Sequence, residues 1–256
     1  MLLTVDIGNT NTVLGVYRGE TLVHTWRMTT SANQTADEVC VWLHGFLDIA
    51  GIDETKITSL CLGTVVPSLK RLWRKVGASL CGDAVLCVGP SSVEGLLDIS
   101  AYSSTPGADR LANAVAARAL YGDPVIVIDM GTATNIEVID ERGRFLGGVI
   151  APGIQASIEG LVAKTALLPE VELADPQRAI GTDTVSAIQI GVVYGQVDAL
   201  DGMVRRIWET VGAKYPVVAT GGFGSMLDKL SQTVSYIDPV LTLEGLRLIY
   251  EAAHQG

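Results

Sequence analysis

Two stretches of the chain are alike: Thr4-Val5-Asp6-Ile7-Gly8-Asn9-Thr10-Asn11-Thr12 and Val127-Ile128-Asp129-Met130-Gly131-Thr132-Ala133-Thr134-Asn135. In each, an apolar strand ends in Asp, a Gly follows two residues later, and small hydroxyl or amide residues come next. Asp129 follows Asp6 by 123 residues, about half of the 256-residue chain. A second run with β-strand character follows both stretches, so each predicts a β-hairpin. The repetition indicates a duplicated domain.

The residue types in these two hairpins suit a phosphate ligand. An Asp at the end of a buried strand can hold a cation, directly or through water, and Gly lets the backbone approach a phosphate. The N–H groups and hydroxyls that follow can donate to phosphate oxygens. The alternative is an ordinary hairpin, in which Asp-x-Gly is only a turn signal. Because the pattern occurs twice, we favour two hairpins that face one polyphosphate. The Walker pattern Gly-x-x-x-x-Gly-Lys-Ser/Thr does not occur.

The composition indicates a folded protein with one large domain or two domains of about 120 residues. Hydrophobic residues make up 48% and charged residues 18%, which excludes a disordered or collagen-like chain. The sequence opens directly on a strand pattern, without the basic segment and apolar run of a secretory signal. It also lacks an apolar stretch of the roughly 18 residues that span a membrane. We therefore expect a soluble cytoplasmic protein.

The charged and metal-ligating residues exclude two classes of function. The formal net charge of −10 argues against nonspecific nucleic-acid binding. It leaves an anionic substrate possible, because local donors and cations can offset the global charge. The four cysteines lack CxxC spacing and the three histidines lie far apart, so we expect no zinc site. The cysteines are expected to be small core residues in a reducing compartment.

Alternating strand and helix patterns predict a mixed α/β fold. The predicted strands are 2–7, 13–17, 21–28, 57–65, 84–88, 124–128, 136–139, 145–150 and 216–219. The predicted helices are 35–50, 69–80, 110–121, 153–163, 184–211 and 241–253. Thr35 or Asn33 can cap the first helix. Residues 89–106, which are rich in Ser, Gly and Pro, form the one long irregular stretch.

The segment Gly107-Ala108-Asp109-Arg110 precedes the Ala-rich helix and has two interpretations. Asp109 is placed near the first turn, where the helix dipole favours an acidic side chain, so it could be an N-cap beside a solvated Arg110. In the functional interpretation, Asp109 accepts a proton from a substrate hydroxyl while Arg110 binds an anion. Phosphoryl transfer needs mainly alignment, charge neutralisation and a carboxylate that orients the nucleophile.

Three further segments could contact a ligand. Thr220-Gly221-Gly222 follows a strand and could lie against a purine and its ribose, although such a pair is most often a turn. The segment 147–153, Gly147-Gly148-Val149-Ile150-Ala151-Pro152-Gly153, leads into a helix whose N-terminus offers free N–H donors. A plain strand-to-helix turn is equally compatible with it. Gly181-Thr182-Asp183-Thr184 also precedes a helix, and simple capping is the default interpretation there.

The chain resembles the type III pantothenate kinases, which belong to the superfamily of acetate and sugar kinases and actin. The matching segments follow the family order across almost the whole chain: Asp6-Ile7-Gly8-Asn9-Thr10-Asn11, Gly107-Ala108-Asp109-Arg110, Asp129-Met130-Gly131-Thr132-Ala133-Thr134, Gly147 to Gly153, and Thr184 with Gln189, Gly191 and Gly195. The resemblance implies duplicated ribonuclease H-like (actin-like ATPase) domains, each a mixed β-sheet flanked by helices. The two subdomains would be 1–116 and 117–256.

The resemblance also implies an activity: ATP-dependent phosphorylation of pantothenate to 4′-phosphopantothenate, the first step of coenzyme A biosynthesis. Residues of the first hairpin would hold the ATP phosphates and Mg²⁺: Asp6, Ile7, Gly8, Asn9, Thr10, Asn11, Thr12 and Val13. Asp6 would reach Mg²⁺ through the phosphates. Thr132 would contact ATP, and Asp129 would bind a monovalent cation, K⁺ or NH₄⁺.

Further residues would bind pantothenate by the same resemblance. Asp109 would be the general base within a pantothenate site formed by Gly107, Ala108, Asp109 and Arg110. Thr184 would contact pantothenate, and a homodimer is implied in which the partner chain helps to form the pantothenate and cation sites. The family usually has an aromatic residue seven positions before Gly107. Ser100 stands there in this chain, so Tyr102, in a loop shortened by about two residues, is the candidate for that contact.

Two other functions compete with this kinase. One is a noncatalytic relative that acts as an accessory factor for gene expression. Asp6, Asp109, Arg110 and Asp129 argue against it, because a binding protein has no need of a base, and the acidic charge disfavours direct DNA contact. The other is a different superfamily member, such as a sugar kinase or a phosphatase acting on polyphosphate. The short length and the Gly-Ala-Asp-Arg segment argue against that one.

Overall fold

The computed structural model describes residues 1–163 and 171–254. Contacts divide the described chain into two compact units. The first comprises residues 1–120 with the C-terminal helix, and the second comprises the described part of 121–240. Each unit contains a five-stranded mixed sheet with helices packed against it. The predicted duplicated α/β fold is thereby confirmed.

The sheet of the first unit has five strands of mixed direction. Its strands are β1 (Leu2–Ile7), β2 (Asn11–Arg18), β3 (Thr21–Thr29), β4 (Ser59–Thr64) and β5 (Val85–Cys87). They lie in the order β3-β2-β1-β4-β5. The first three strands pair antiparallel, whereas β4 and β5 join parallel to β1. Asp6 consequently lies opposite Val13 on one side and Gly63 on the other.

The second sheet repeats this arrangement. Its strands are β6 (Val125–Met130), β7 (Ala133–Ile139), β8 (Phe145–Pro152), β9 (Val217–Thr220) and β10 (Tyr236–Ile237). Their order is β10-β9-β6-β7-β8, with β9 parallel to β6 and β10 parallel to β9. Asp129 lies opposite Asn135 of β7 and Thr220 of β9, as Asp6 lies between β2 and β4. The two hairpins therefore occupy equivalent positions in their sheets.

Seven α-helices are present among the described residues. They are α1 (Ala36–Ile49), α2 (Pro67–Cys81), α3 (Ala108–Tyr121), α4 (Ile154–Ala163), α5 (Thr184–Val211), α6 (Gly224–Leu230) and α7 (Leu241–His254). Thr35 caps α1, and its hydroxyl accepts from the N–H of Glu38 while the Glu38 carboxylate accepts from Thr35. This reciprocal capping box satisfies two N–H groups that a helix start otherwise leaves unpaired.

One face of the first sheet packs against α1 and α2. Alternation along β1 directs Leu3, Val5 and Ile7 to this face, because successive side chains of a strand point to opposite sides. They meet Leu43 of α1 and the fully buried Trp73 of α2. In the second unit, the corresponding core joins β6 and β7 to α5 and α6.

The other face of the first sheet is covered by α7, and two strand glycines make room for it. A side chain at Gly15 would lie 3.0 Å from Leu243, and one at Gly63 would lie 3.0 Å from Leu246. Within α7, Gly245 lies against the backbone of Ala112 in α3, where a Cβ would overlap the carbonyl group. These contacts place α7 with the first unit, whereas the predicted division into 1–116 and 117–256 grouped it with the second half.

Sequence patterns missed two short elements near the end of the second unit. The seven-residue helix α6 follows the Thr-Gly-Gly turn, and the two-residue strand β10 follows α6. Elements this short carry too little periodicity to be distinguished from turns. Other boundaries moved by a few residues, such as α2, which begins at Pro67 rather than at residue 69. Pro suits a first helical position because its missing N–H has no intrahelical acceptor there.

We expect Gly245→Ala to lower the free energy of unfolding by about 1–3 kcal/mol, because the added methyl group overpacks the contact with Ala112. The matched control is Gly45→Ala in α1, where a Cβ meets no atom within 4 Å. That control should stabilise the protein by about 0.5–1 kcal/mol, because Ala has the higher helix propensity. Urea unfolding of the two variants measures both effects. Equal stability of the two variants would contradict the close packing of α7 on α3.

Candidate active site

The first hairpin turns tightly directly after Asp6. The N–H of Gly8 donates to the carbonyl of Asn11 at 3.0 Å, which closes the turn between β1 and β2. A Cβ on Gly8 would lie only 3.1 Å from that same carbonyl oxygen. Asn9 and Thr10 are exposed at the tip, while Asp6 is half-buried. The polar groups at the tip of the turn are therefore accessible to an anion from solvent.

The end of β3 anchors this hairpin, a role that no sequence pattern indicated. The N–H of Thr30 donates to the carbonyl of Thr10 at 2.9 Å. The hydroxyls of Thr30 and Thr12 are hydrogen-bonded at 2.8 Å, and Thr12 is fully buried. The Thr12 hydroxyl is thus engaged in holding the turn. The hydroxyl of Thr30, directly after the third strand, was the one sequence feature that could have indicated this contact. Hydroxyl residues after strands are too common to predict it.

Asp109 lies within the first turn of α3. The helix begins at Ala108, so Asp109 is not an N-cap, and its carboxylate accepts the N–H of Arg110 at 2.8 Å. The side chain is half-buried. Burial raises the pKa of the Asp109 carboxyl above its ordinary value, although the N–H and the charge of Arg110 act in the opposite direction. A carboxylate with a raised pKa is a better proton acceptor, which is the property that a general base needs.

Arg110 and Tyr102 form a pair beside Asp109. Nη1 of Arg110 donates to the Tyr102 hydroxyl at 3.3 Å, and the guanidinium carbon lies 5.4 Å from the centre of the tyrosine ring. Arg110 is 8% exposed. The shortened loop therefore brings Tyr102 to the Gly107–Arg110 segment in spite of the two-residue change in spacing. A buried guanidinium held by an aromatic ring suits the recognition of a carboxylate or a phosphate.

Val65 connects the Gly107–Arg110 segment to the first hairpin. Its N–H donates to the carbonyl of Ile7 at 3.1 Å, directly after Asp6. Its side chain lies against Gly107, where an added Cβ would come within 3.2 Å of it. Asp6 and Asp109 are thereby attached to the same end of the first sheet, where β1 and β4 finish.

Three predicted segments meet at the end of β6 in the second unit. The N–H of Gly131 donates to the Ala133 carbonyl at 3.1 Å, and the N–H of Gly153 donates to the Thr132 carbonyl at 3.2 Å. A side chain at Gly153 would overlap these backbone carbonyls. Gly221 has φ +87° and lies against Asp129, so the turn after β9 also requires glycine. Asp129, Thr132 and the Thr-Gly-Gly turn thus form one cluster.

Thr184 occupies the first position of α5 and is exposed. It does not cap this helix. The carboxylate of Asp183 accepts the N–H of Ser186 at 2.9 Å and thereby performs that role. The Thr184 hydroxyl is consequently available to a ligand.

The described residues contain no group of three or more His, Cys, Asp or Glu side chains that could hold a metal ion. The single carboxylates of Asp6 and Asp129 are still suitable ligands for a cation whose remaining ligands are oxygens of substrate, water or the backbone. Mg²⁺ in particular is commonly held by one or two carboxylates together with substrate phosphates and water. Among the described helices, none combines the length and apolar character required to cross a membrane.

Comparison with known proteins identifies the chain's relatives. Residues 2–206 match the family model of type III pantothenate kinase. The type III pantothenate kinase of Halalkalibacterium halodurans is 41% identical over 251 residues, which cover 98% of this chain and 99% of that protein. The Roseiflexus castenholzii enzyme of the same name is 42% identical over 255 residues and covers both chains completely.

Solved structures with low sequence identity share the fold. A protein assigned to a Baf family of transcriptional activators from Campylobacter jejuni aligns with a TM-score of 0.59 at 19% identity, covering 99% of this chain and 100% of that one. A ROK hexokinase from Thermus thermophilus aligns with a TM-score of 0.53 at 14% identity, covering 98% and 99%. At such identities these neighbours support the fold alone. The family match and the relatives at about 40% identity go further: the chain belongs to the type III pantothenate kinase family.

Proposed function

We propose that this protein transfers the γ-phosphoryl group of ATP to the terminal hydroxyl of pantothenate and so forms 4′-phosphopantothenate, the first step of coenzyme A biosynthesis. The observation that carries the proposal is the position of Asp109 in a chain of this family. Its carboxyl has a raised pKa and stands beside the buried Arg110 at the end of the first sheet. An accessory factor without catalysis has less support, because the named relatives at about 40% identity are kinases.

The proposed chemistry needs little covalent participation by the protein. Asp109 accepts the proton of the pantothenate hydroxyl. The hydroxyl oxygen attacks the γ-phosphorus of ATP, and ADP leaves. The hairpin from Asp6 to Val13 holds the phosphates through backbone N–H groups and the hydroxyl of Thr10, and Thr132 contacts ATP from the second hairpin. Alignment and charge neutralisation supply most of the catalysis in such transfers.

The proposed pantothenate site consists of Gly107, Ala108, Asp109, Arg110, Tyr102 and Thr184. Arg110 is the expected partner of the substrate carboxylate, because a guanidinium can bind a carboxylate with two parallel hydrogen bonds. The ring of Tyr102 holds this guanidinium in place. Gly107 tolerates no bulk, because a Cβ there would press on the Asp109 carboxylate.

Two cations belong to the proposal. Mg²⁺ accompanies ATP and is reached by Asp6 through the phosphates, in keeping with the preference of this ion for phosphate and water oxygens. A monovalent cation, K⁺ or NH₄⁺, binds at Asp129, where the carboxylate and neighbouring backbone carbonyls of the second hairpin offer hard oxygen ligands. Bound there, it would supply positive charge that favours transfer of the anionic phosphoryl group.

We further propose a cytoplasmic homodimer in which the partner chain completes the pantothenate and cation sites. Large apolar side chains are exposed on the second unit, among them Ile180 at 80% and Ile150 at 64%. Val185, adjacent to Thr184, is exposed as well. A partner chain that covered these side chains would remove their apolar surface from water. Thr184 is then well placed to act across the interface, and a nucleic-acid partner is not expected for a chain of net charge −10.

Asp109→Asn should lower kcat by about 10²–10⁴-fold, because it removes the proton acceptor and keeps the shape of the side chain. ATP binding measured by calorimetry should persist. Asp48→Asn, on the exposed surface of α1, is the control and should retain full activity. A coupled ADP-release assay with pantothenate measures turnover. Near-normal kcat in the Asp109 variant would eliminate the proposed base.

The same variant has an expected stability profile. Because the folded-state pKa of Asp109 is raised, folding free energy is lost as the pH rises from the ordinary carboxyl pKa to the raised one, and the loss is complete above the raised pKa. The cost is absent below the ordinary carboxyl pKa, where the group is protonated in both states. The Tm of Asp109→Asn should therefore equal or exceed that of the wild type at pH 7, and the difference should vanish near pH 4. A lower Tm at pH 7 would contradict the raised pKa.

Tyr102 can be tested by two substitutions. Tyr102→Phe keeps the ring under Arg110 and removes the hydroxyl that accepts the 3.3 Å hydrogen bond from Arg110, so the KM for pantothenate should rise less than about threefold. Tyr102→Ala removes the ring as well, and the KM should rise about tenfold or more. The KM for ATP serves as the internal control and should change little. Unchanged pantothenate KM in both variants would remove Tyr102 from the substrate site.

Asp129→Ala should abolish the difference in activity between potassium and sodium buffers, because it removes the proposed carboxylate ligand of the monovalent cation. Asp228→Ala, on the exposed surface of α6, is the control of equal charge and should keep the potassium response of the wild type. Initial rates at matched ionic strength provide the measurement. An Asp129 variant that still responds to potassium would place the cation site elsewhere.

A further inference from the structure

Four cations lie together on the exposed side of α2. Lys70, Arg71, Arg74 and Lys75 are all exposed, and together with Pro67 they line a shallow depression of about 480 Å³. Their spacing of i, i+1, i+4 and i+5 puts them in two adjacent rows one helical turn apart. We call these four residues the basic face of α2.

Within residues 1–163 and 171–254, no carboxylate pairs with the charges of this face. No ion pair or hydrogen bond joins any of the four side chains to another described residue, and α2 itself contains no Asp or Glu. The whole chain has 18 Lys and Arg against 28 Asp and Glu. Four cations within six residues therefore make a positively charged region on a protein of negative net charge. The charges of Lys70 and Arg74 reach Cys87 on β5, where they oppose the rise in the thiol pKa caused by burial.

The basic face begins at the point where the two proposed substrate-binding segments of the first unit meet. Pro67, the first residue of α2, follows Val65 by two residues, and Val65 contacts both Ile7 of the hairpin and Gly107 of the Gly107–Arg110 segment. At a rise of about 1.5 Å per residue, Lys70 and Arg71 lie about 5–6 Å along the axis from Pro67. Arg74 and Lys75 lie about 10–12 Å from it.

We propose that the basic face of α2 attracts anionic substrate, above all the nucleotide, and raises its concentration at the hairpin of Asp6 and the segment of Asp109. The inference rests on the proposed kinase function. A chain of net charge −10 otherwise repels ATP, and a local positive surface offsets this repulsion during the encounter. The attraction acts over about a Debye length, which is about 8 Å at physiological ionic strength and about 30 Å at 0.01 M. It therefore fades as salt is added.

The test compares two variants with the same loss of four positive charges. Lys70→Gln, Arg71→Gln, Arg74→Gln and Lys75→Gln together remove the basic face. The matched control neutralises four exposed cations of the second unit with Gln: Arg205, Arg206, Lys214 and Lys229. Gln retains helix propensity at the helical positions of both variants; Lys214 follows the end of α5. The kcat/KM for ATP and for pantothenate is measured from 0.01 to 0.3 M ionic strength.

Removal of the basic face should lower kcat/KM for ATP about three- to tenfold at 0.01 M ionic strength, with kcat unchanged and the effect below about twofold at 0.3 M. Pantothenate carries less charge than ATP and should show a smaller loss. The kcat/KM of the control variant should depend on ionic strength as that of the wild type does, more closely than the kcat/KM of the variant without the basic face. Equal losses in both variants would mean that only net charge matters, and an effect independent of salt would mean a specific contact; either result overturns the inference.

Two additional measurements separate the inference from the proposed function. ATP binding by calorimetry at low and high salt requires no turnover, so it tests the basic face even if the wild type does not phosphorylate pantothenate. A wild type without kinase activity would contradict the proposed function only. If the fourfold variant does not fold, Arg71→Gln with Lys75→Gln removes the row that lies away from Cys87 and should give about half the effect on a logarithmic scale.

Discussion

The hydrogen-bonded ladder around β1 is the constraint on which the candidate site depends. β1 pairs antiparallel with β2 and parallel with β4, so Asp6 is fixed opposite Val13 and Gly63. A slip of one residue would turn Leu3, Val5 and Ile7 away from the α1–α2 core and move Asp6 to that apolar side. Burial of these three side chains therefore also determines where the carboxylate of Asp6 emerges. The same register recurs at Asp129 in the second sheet.

Close backbone packing connects this ladder to the proposed base. Gly15 and Gly63 leave space on the sheet for Leu243 and Leu246 of α7, and Gly245 lets α7 touch α3. The first turn of α3 carries Asp109, which is thereby supported by a helix from the other end of the chain. A carboxylate held partly out of water has a raised pKa, so this packing favours the proposed role of Asp109 as a base as well as stability.

Around the candidate site, the sequence predicted several features of local structure and missed contacts between distant residues. The hairpin turn at Gly8, the first-turn position of Asp109 and the cap of α1 by Thr35 follow from patterns a few residues long. The anchoring of Thr12 by Thr30 joins residues 18 positions apart. The contact of Tyr102 with Arg110 depends on the path of an irregular loop, so the two-residue change in spacing left its register undecided in the sequence. The interpretation of Asp109 as an N-cap was wrong, because the helix begins at Ala108, two residues before the predicted start at Arg110.

The sequence by itself determined the duplicated α/β class, because strand and helix periodicities and the repeated Asp-x-Gly turn are properties of neighbouring residues. It also identified the segments that carry the candidate chemistry. Only the tertiary structure decided that α7 belongs with the first sheet, that Gly221 lies against Asp129, and that the four cations of α2 begin beside Val65. Such contacts join distant parts of the chain through the fit of side chains and glycines at packed surfaces. Local periodicity contains no information about that fit.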